Sequence, residues 1–374
     1  MHMLKKLFEK SDKVFLGITL SLVIVGVIVF VSASLGILAR SEQKFYGVIF
    51  NQILFGVVFG LSALIIMMNI NYLTIKKYAF HIMVFTLLLT ALVFVPGLSY
   101  EHGGARRWIS IGSIQFQPAE FLKIGFVIYF AAWLAWMKNK VHDIKKTLLP
   151  FSLLVLIIAG ILLRQPDTKS LILIVATGLA MCIVSGVPWK YIGGFLGISI
   201  IAFGILAWSV PYLRDRVETF IHPDKDAQGS GWQINQSLNA IGSGEIVGRG
   251  LGQSIQKFGS LPEPQGDSIF AVLGEEFGFI GSTIVVILYL LFGLRGLRIA
   301  SHSQDQFGRL LVTGLVILII GQSFLNISSL VGLFPLTGVP LVFMSHGGTS
   351  MMIALASTGI ILNVSKSQRA HIHK

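Results

Sequence analysis

VFLGITLSLVIVGVIVFVSAS, Val14 to Ser34, runs for 21 residues without a charged side chain. As a helix rising ~1.5 Å per residue it would measure about 31 Å, close to the ~30 Å hydrocarbon core of a bilayer. The core of a soluble domain has no need of so long an apolar run, so the stretch is read as a membrane-crossing helix. Lys5, Lys6, Lys10 and Lys13 in front of it superficially resemble the start of a signal peptide. The run is too long for a signal peptide's apolar region and no convincing small-residue cleavage site follows it. It is therefore expected to be the first transmembrane helix.

Outward from this segment the same texture recurs. Further apolar runs lie at about 46–70, 78–97, 117–136, 148–163, 171–187, 191–212, 268–294, 310–331 and 343–363, making about ten helices in all. Charged residues are 12% of the chain, against roughly 25% in soluble proteins, and the mean hydropathy is +0.78. Forty glycines suit membrane helices, where small residues let backbones approach closely. The expected fold class is an all-α polytopic membrane protein, with residues 1–374 forming a single membrane domain. The stretch from Leu213 to Asp267 differs. It is polar, rich in glycine and free of any spanning run, and is read as one large loop between helices 7 and 8. Cys182 is the sole cysteine and sits in an apolar run, which excludes a disulfide framework and a Cys metal site.

The net charge of +12 comes from 29 basic and 17 acidic residues. In a soluble chain that balance would suggest nucleic acid. Here the basic residues fall in short loops between apolar runs, so no nucleic-acid partner is expected. With ten helices and the long loop set aside, Lys and Arg divide 17 against 6 between the two sides. Positive-inside then places both termini in the cytoplasm and 213–267 outside.

The informative residues of such a chain are the polar ones beside or within apolar runs. Glu120 and Lys123 lie one turn apart on one face of the fourth helix. Two readings stand side by side: a buried ion pair locking helices together, or the wall of a polar cavity. Glu275 and Glu276 pose the same question at the eighth helix. As neighbours they point in different directions, so at most one is expected to face a cavity. Arg106, Arg107 and Trp108 suit either an interfacial anchor or a phosphate site, since guanidinium matches phosphate oxygens bidentately. The long loop holds Arg214, Arg216, Asp224, Asp226, Trp232, Gln233, Gln236, Lys257, Glu263 and Asp267, most of which suit a solvated surface. Its stretch Gly242 to Gly252 is not a phosphate-binding P-loop, because it lacks the Gly-Lys-Ser/Thr ending and follows no strand. A flexible or closely approaching backbone is the better reading. Asp267 directly precedes helix eight, where a plain N-cap is the default role. From Pro335 to Ser350, two prolines and many small residues suggest non-helical backbone lining a cavity.

These segments carry a resemblance when taken in order. They are Gly103-Gly104-Ala105-Arg106-Arg107-Trp108-Ile109, Phe116-Gln117-Pro118-Ala119-Glu120-Phe121-Leu122-Lys123, Gln165-Pro166-Asp167-Thr168, and the loop's Gln236 to Gly244 and Gly250 to Lys257. Leu261-Pro262-Glu263-Pro264-Gln265-Gly266-Asp267 through Gly278, and Pro335 to Ser350, complete the set. The chain resembles the SEDS family (the FtsW, RodA and SpoVE group), whose members polymerise lipid II into glycan strands of peptidoglycan. The resemblance covers nearly the whole chain.

It implies that Asp267 is the catalytic aspartate, in place of the N-cap reading. It further implies that Glu120 and Lys123 face a polar cavity at the outer leaflet. Arg106, Arg107, Trp108, Arg214, Arg216, Lys257 and Glu263 join them as candidate substrate-binding residues. The chain would then be a multi-pass enzyme of the bacterial cytoplasmic membrane, with lipid II and the nascent glycan as ligands. A class B penicillin-binding protein and other division or elongation proteins would be its partners. No cofactor is required; a divalent cation would help neutralise pyrophosphate, though no ligand cluster demands one. Three departures from the family pattern stand out. Gln265-Gly266 replaces His-Thr before Asp267, His346 replaces a tyrosine, and Thr168-Lys169 replaces Leu-Gly. The last two are expected to affect packing. The stretch Gly250 to Lys257 resembles the division type more than the elongation type. The rival readings are a lipid II flippase, which should show internal repeats and midplane charges, another polyprenyl-glycan polymerase, and a non-catalytic scaffold of the cell-wall complex.

Overall fold

Asp12 starts the first helix by accepting a hydrogen bond from the Phe15 N–H at 2.9 Å, which satisfies one of the donors a helix N-terminus leaves open. The computed structural model describes residues 11–102, 105–111, 114–137, 143–222 and 229–372. Gly103, Gly104, Asp224, Asp226 and the lysines Lys5, Lys6 and Lys10 lie outside them. The helix that Asp12 caps, α1 (Lys13–Leu38), is followed by α2 (Glu42–Asn69), the short α3 (Tyr72–Lys77) and α4 (Ala79–Ala91). After a small sheet come α5 (Pro118–Trp136), α6 (Ile144–Arg164), α7 (Thr168–Ser185) and α8 (Trp189–Ser209). The shorter α9 (Pro211–Ile221) and α10 (Ser230–Ser243) precede α11 (Ile269–Ser301), α12 (Gln306–Leu330) and α13 (Gly348–Ile372).

Nine of these helices are long and apolar enough to cross a membrane among the described residues. The third expected run, 78–97, is a shorter apolar helix, Ala79–Phe94. Burial sorts the spans. The hydropathic window of α12 is 72% buried and that of α8 only 6%, so α12 lies at the centre of the bundle and α8 at its edge.

Two findings depart from the expected picture. Three short strands, β1 (Ser99–His102), β2 (Ala105–Ile111) and β3 (Ile114–Phe116), form an antiparallel sheet, with Tyr100 opposite Trp108 and Ile109 opposite Phe116. Its Ile- and aromatic-rich, β-favouring sequence is too short to register beside spanning runs. The loop expected from Leu213 to Asp267 also contains helices. In α10, Ile234, Ser237 and Ala240 recur at helical spacing and are buried, a half-buried face that an average over the polar segment conceals.

The glycine-rich stretch after α10 lies against α11, backbone to backbone. Arg249 N donates to Glu275 O at 3.0 Å and Gly250 N to Glu276 O at 2.9 Å, while Phe279 N donates to Glu245 O at 2.9 Å. Opposite them Gly278 adopts φ +64°, and a Cβ there would stand 2.4 Å from Gly248 N. Only glycine fits that crossing. Between the two readings of this stretch, close approach is the one realised.

Candidate active site

Polar side chains on α12 and α2 converge on the non-helical segment 331–347. Gln322 and Asn326 are one turn apart on α12. The amide of Gln322 donates to Pro340 O at 3.3 Å. That of Asn326 donates to Val339 O and to Asp267 O, both at 2.7 Å. These bonds satisfy backbone that has no helix of its own, as a low-dielectric setting demands. On α2 a π-helical stretch, Gln52–Val58, turns Gln52 inward. Its amide donates to Ser345 O at 3.2 Å and its oxygen accepts from Gly347 N at 3.0 Å. The segment from Pro335 onward is therefore irregular and clamped by side chains.

On α5 the Lys123 ammonium lies 2.8 Å from Glu120 Oε1 and 2.6 Å from Gln322 Oε1. Both side chains of the pair are buried, and with Ile319, Gln322, Val342 and Ser350 they line a narrow pocket. The ion pair of one sequence reading of Glu120 and Lys123 is present and joined to α12, and the cavity of the other is here a narrow crevice beside it.

Asp267 stands at the end of α11 but does not cap it. Ser268 occupies the cap position, with no side-chain bond there. Instead Asp267 Oδ1 accepts from Gln233 Nε2 of α10 at 3.2 Å. Its Oδ2 faces Gly338, 3.3 Å from where a Cβ would be built, and Gly338 has φ +59°. Burial pushes the carboxyl up to about 6, with Glu263 adding to the shift and Lys169 opposing it. Such a group is ionised yet basic at neutral pH.

The basic residues separate into distinct roles. Arg107 donates to Gln165 O at 3.1 Å and to Pro166 O at 2.7 Å, which ties β2 to the turn before α7. Asp167 caps that helix, accepting from Ser170 N at 3.3 Å and Ser170 Oγ at 2.8 Å, and also from Gln117 at 3.0 Å. Arg216 on α9 is half-buried over Tyr212, 4.5 Å from the ring centre. Its electrostatic neighbours are Arg107, Asp267 and Asp167; burial first, and then Arg107, disfavour its charge. Arg214 is exposed over Trp208, and Arg106 and Glu263 are exposed beside the same end of the fold. Trp108 is half-buried in β2.

Lys257 does not belong to this group. Its ammonium is fully buried 2.6 Å from Glu276 Oε1 and also donates to Ser32 Oγ and Gly252 O. Glu275 accepts from Ser254 Oγ at 2.6 Å and from Ile255 N at 2.9 Å. In this structure the Lys257 charge fastens the 249–257 segment to α11 and α1. The adjacent glutamates both hold protein, and both carboxylates accept from Ser254, Glu275 from its hydroxyl and Glu276 from its N–H. Sequence reasoning passed over Asn326, Gln322 and Lys169. Amides four residues apart in an apolar helix were a usable signal; Lys169 had none beyond its departure from the family pattern.

The family model described as "Cell cycle protein" (FTSW_RODA_SPOVE) matches residues 12–370. The chain belongs to the FtsW/RodA/SpoVE family. It is 36% identical over 362 residues to stage V sporulation protein E of Bacillus subtilis, covering 96% of this chain and 98% of that one. It is 35% identical over 360 residues, 96% of each, to a probable peptidoglycan glycosyltransferase FtsW of Geobacter metallireducens. Among solved structures, a chain from work titled "Structural coordination of polymerization and crosslinking by a peptidoglycan synthase complex" matches with TM-score 0.80 and 25% identity, over 96% of this chain and 98% of that chain. The rod shape determining protein RodA of Thermus thermophilus matches with TM-score 0.70 at 24% identity, over 96% and 97% of the two chains, and supports the fold of this FtsW/RodA/SpoVE member. Family membership and the nine apolar helices make it a multi-pass membrane protein.

Proposed function

We infer that this protein is a peptidoglycan glycosyltransferase, which polymerises lipid II at the outer face of the bacterial cytoplasmic membrane. The observation that carries the reading onto particular residues is the Asp267 carboxyl. It is held by Gln233, sits beside clamped irregular backbone and is tuned to about 6. The 4-hydroxyl of the acceptor's terminal GlcNAc attacks the anomeric carbon of the donor's MurNAc, and undecaprenyl pyrophosphate leaves. An α-linked donor gives a β-linked product, so one inverting displacement suffices. Asp267 takes the hydroxyl proton as general base, a role for which a pKa near the working pH is best suited. The leaving group is already good and needs no acid, unlike the paired carboxylates of glycosidases.

Negative charge developing on the pyrophosphate calls for fixed cations. Arg216 suits that role, because burial and the neighbouring Arg107 disfavour its charge and a nearby anion would relieve it; Arg107, tied to the turn before α7, adds positive charge beside it. Glu120 and Lys123 shape the crevice behind the site. A class B penicillin-binding protein that cross-links the product is the proposed partner. The division type is the proposed role, and depletion giving filaments instead of round cells would support it; round cells would point to elongation.

The decisive experiment incubates purified protein with lipid II and follows polymeric glycan. Native protein should polymerise and Asp267→Asn should not. Undiminished synthesis by the variant would remove Asp267 from the chemistry, and no synthesis by either protein, with partner present, would sink the reading.

A further inference from the structure

Lys169 breaks a local rule. It lies in the first turn of α7, where the helix dipole disfavours a cation. Its ammonium turns inward, part-buried, and donates to the carbonyl of Gly338. Gly338 is also the residue that faces Asp267 Oδ2, at 3.3 Å from its Cβ position. One glycine therefore receives the ammonium on its oxygen and leaves open the space beside the carboxylate that a side chain would fill. Packing does not account for this arrangement, since a neutral donor would tie down the same carbonyl.

The other charges around Asp267 do not supply what Lys169 supplies. Glu263, on the chain just before Asp267, opposes ionisation. Gln233 on α10 is neutral, and Asn326 on α12 bonds only the Asp267 backbone. Arg216 on α9 lies within electrostatic reach but is itself flanked by Arg107 and Asp167. Lys169 in turn is faced by Asp167, Arg107 and Glu120 as well as Asp267.

We propose that Lys169 is a positioning residue of the reaction centre, whose ammonium, anchored on the Gly338 carbonyl, keeps the Asp267 carboxylate ionised and ready to accept a proton. As a statement about catalysis this rests on the proposed glycosyl transfer; as a statement about the two side chains it does not.

The test separates charge from hydrogen bonding. Lys169→Gln keeps a donor for Gly338 and loses the charge, Lys169→Arg keeps the charge, and Lys169→Met loses both. Each is purified in lipid nanodiscs alone and combined with Asp267→Asn, and Tm is followed from about pH 4.5 to 8.5. The difference between each protein and its Asp267→Asn counterpart isolates the Asp267 titration. The native inflection is expected at about 6. It should rise by about one pH unit, a tenfold gain in proton affinity, in Lys169→Gln and Lys169→Met, and stay in place in Lys169→Arg. The acid limb of lipid II polymerisation should move with it, with the rate recovering to within about threefold of native at high pH. An inflection unmoved in Lys169→Gln, or in Lys169→Met should the former not fold, overturns the proposal. So does a rate lowered equally at every pH. If none of the proteins polymerises lipid II, the functional reading fails while the thermal inflections still decide the role of Lys169.

Discussion

Asp267 is protonated more readily in the folded protein, at about 6, than in an unfolded chain, where an aspartate titrates near ~3.9. The stability it contributes is fully present below about pH 4 and is lost as pH rises through about 6. At neutral pH its carboxylate is thus carried at a cost to folding. Asp267→Asn removes the charge while its carbonyl still accepts from Gln233. Its Tm at pH 7.5 should equal or exceed the native value, while polymerisation falls by about 10²–10⁴-fold. A lowered Tm with activity retained would contradict that assignment. In native protein kcat/KM should drop about tenfold per pH unit below an apparent pKa near 6; a flat profile between pH 5 and 7 would count against a carboxylate base. Lys123 obeys another logic. Removing it leaves Glu120 buried without its partner, a loss of about 3–5 kcal/mol for pairs of this kind, so Lys123→Ala should lower both Tm and activity. If Glu120→Ala combined with Lys123→Ala polymerises lipid II at the native rate, the pair serves structure alone.

The elements between the spans show what a hydropathy reading misses. Polar α9 and α10 and the sheet of β1, β2 and β3 fell among connections, because each is short and its apolar face is satisfied only by neighbours distant in sequence. Gly242 to Gly252 was legible as special backbone, but its partner, the Glu275–Gly278 stretch of α11, was not. Lys257 fastens this outer layer, and its removal would strand Glu276 among Ser32 and Ser254. Lys257→Met should therefore lower Tm by an amount that Glu276→Gln in the same protein largely restores. A raised KM with unchanged Tm would instead return Lys257 to the substrate site.

For the whole molecule the proposed orientation can be read by labelling. The sole native thiol, Cys182, is buried, so an introduced cysteine reports its own side. In intact spheroplasts Val247→Cys, at an exposed loop position, should react with a membrane-impermeant maleimide, and His302→Cys should react only after permeabilisation. The opposite pattern would invert the topology. Apolar runs of bilayer length, basic residues between them and ordered motifs were enough to determine a polytopic membrane protein and its family and to single out Asp267 as a candidate, since each is a property of consecutive residues. Which polar groups share a site was decided only by the tertiary structure. Asn326 bonds the Asp267 carbonyl directly and Lys169 approaches Asp267 by way of Gly338, whereas Lys257, ten residues before Asp267, spends its charge on Glu276. Burial and electrostatic neighbourhood depend on packing across the bundle, and that packing gives Asp267 its basicity.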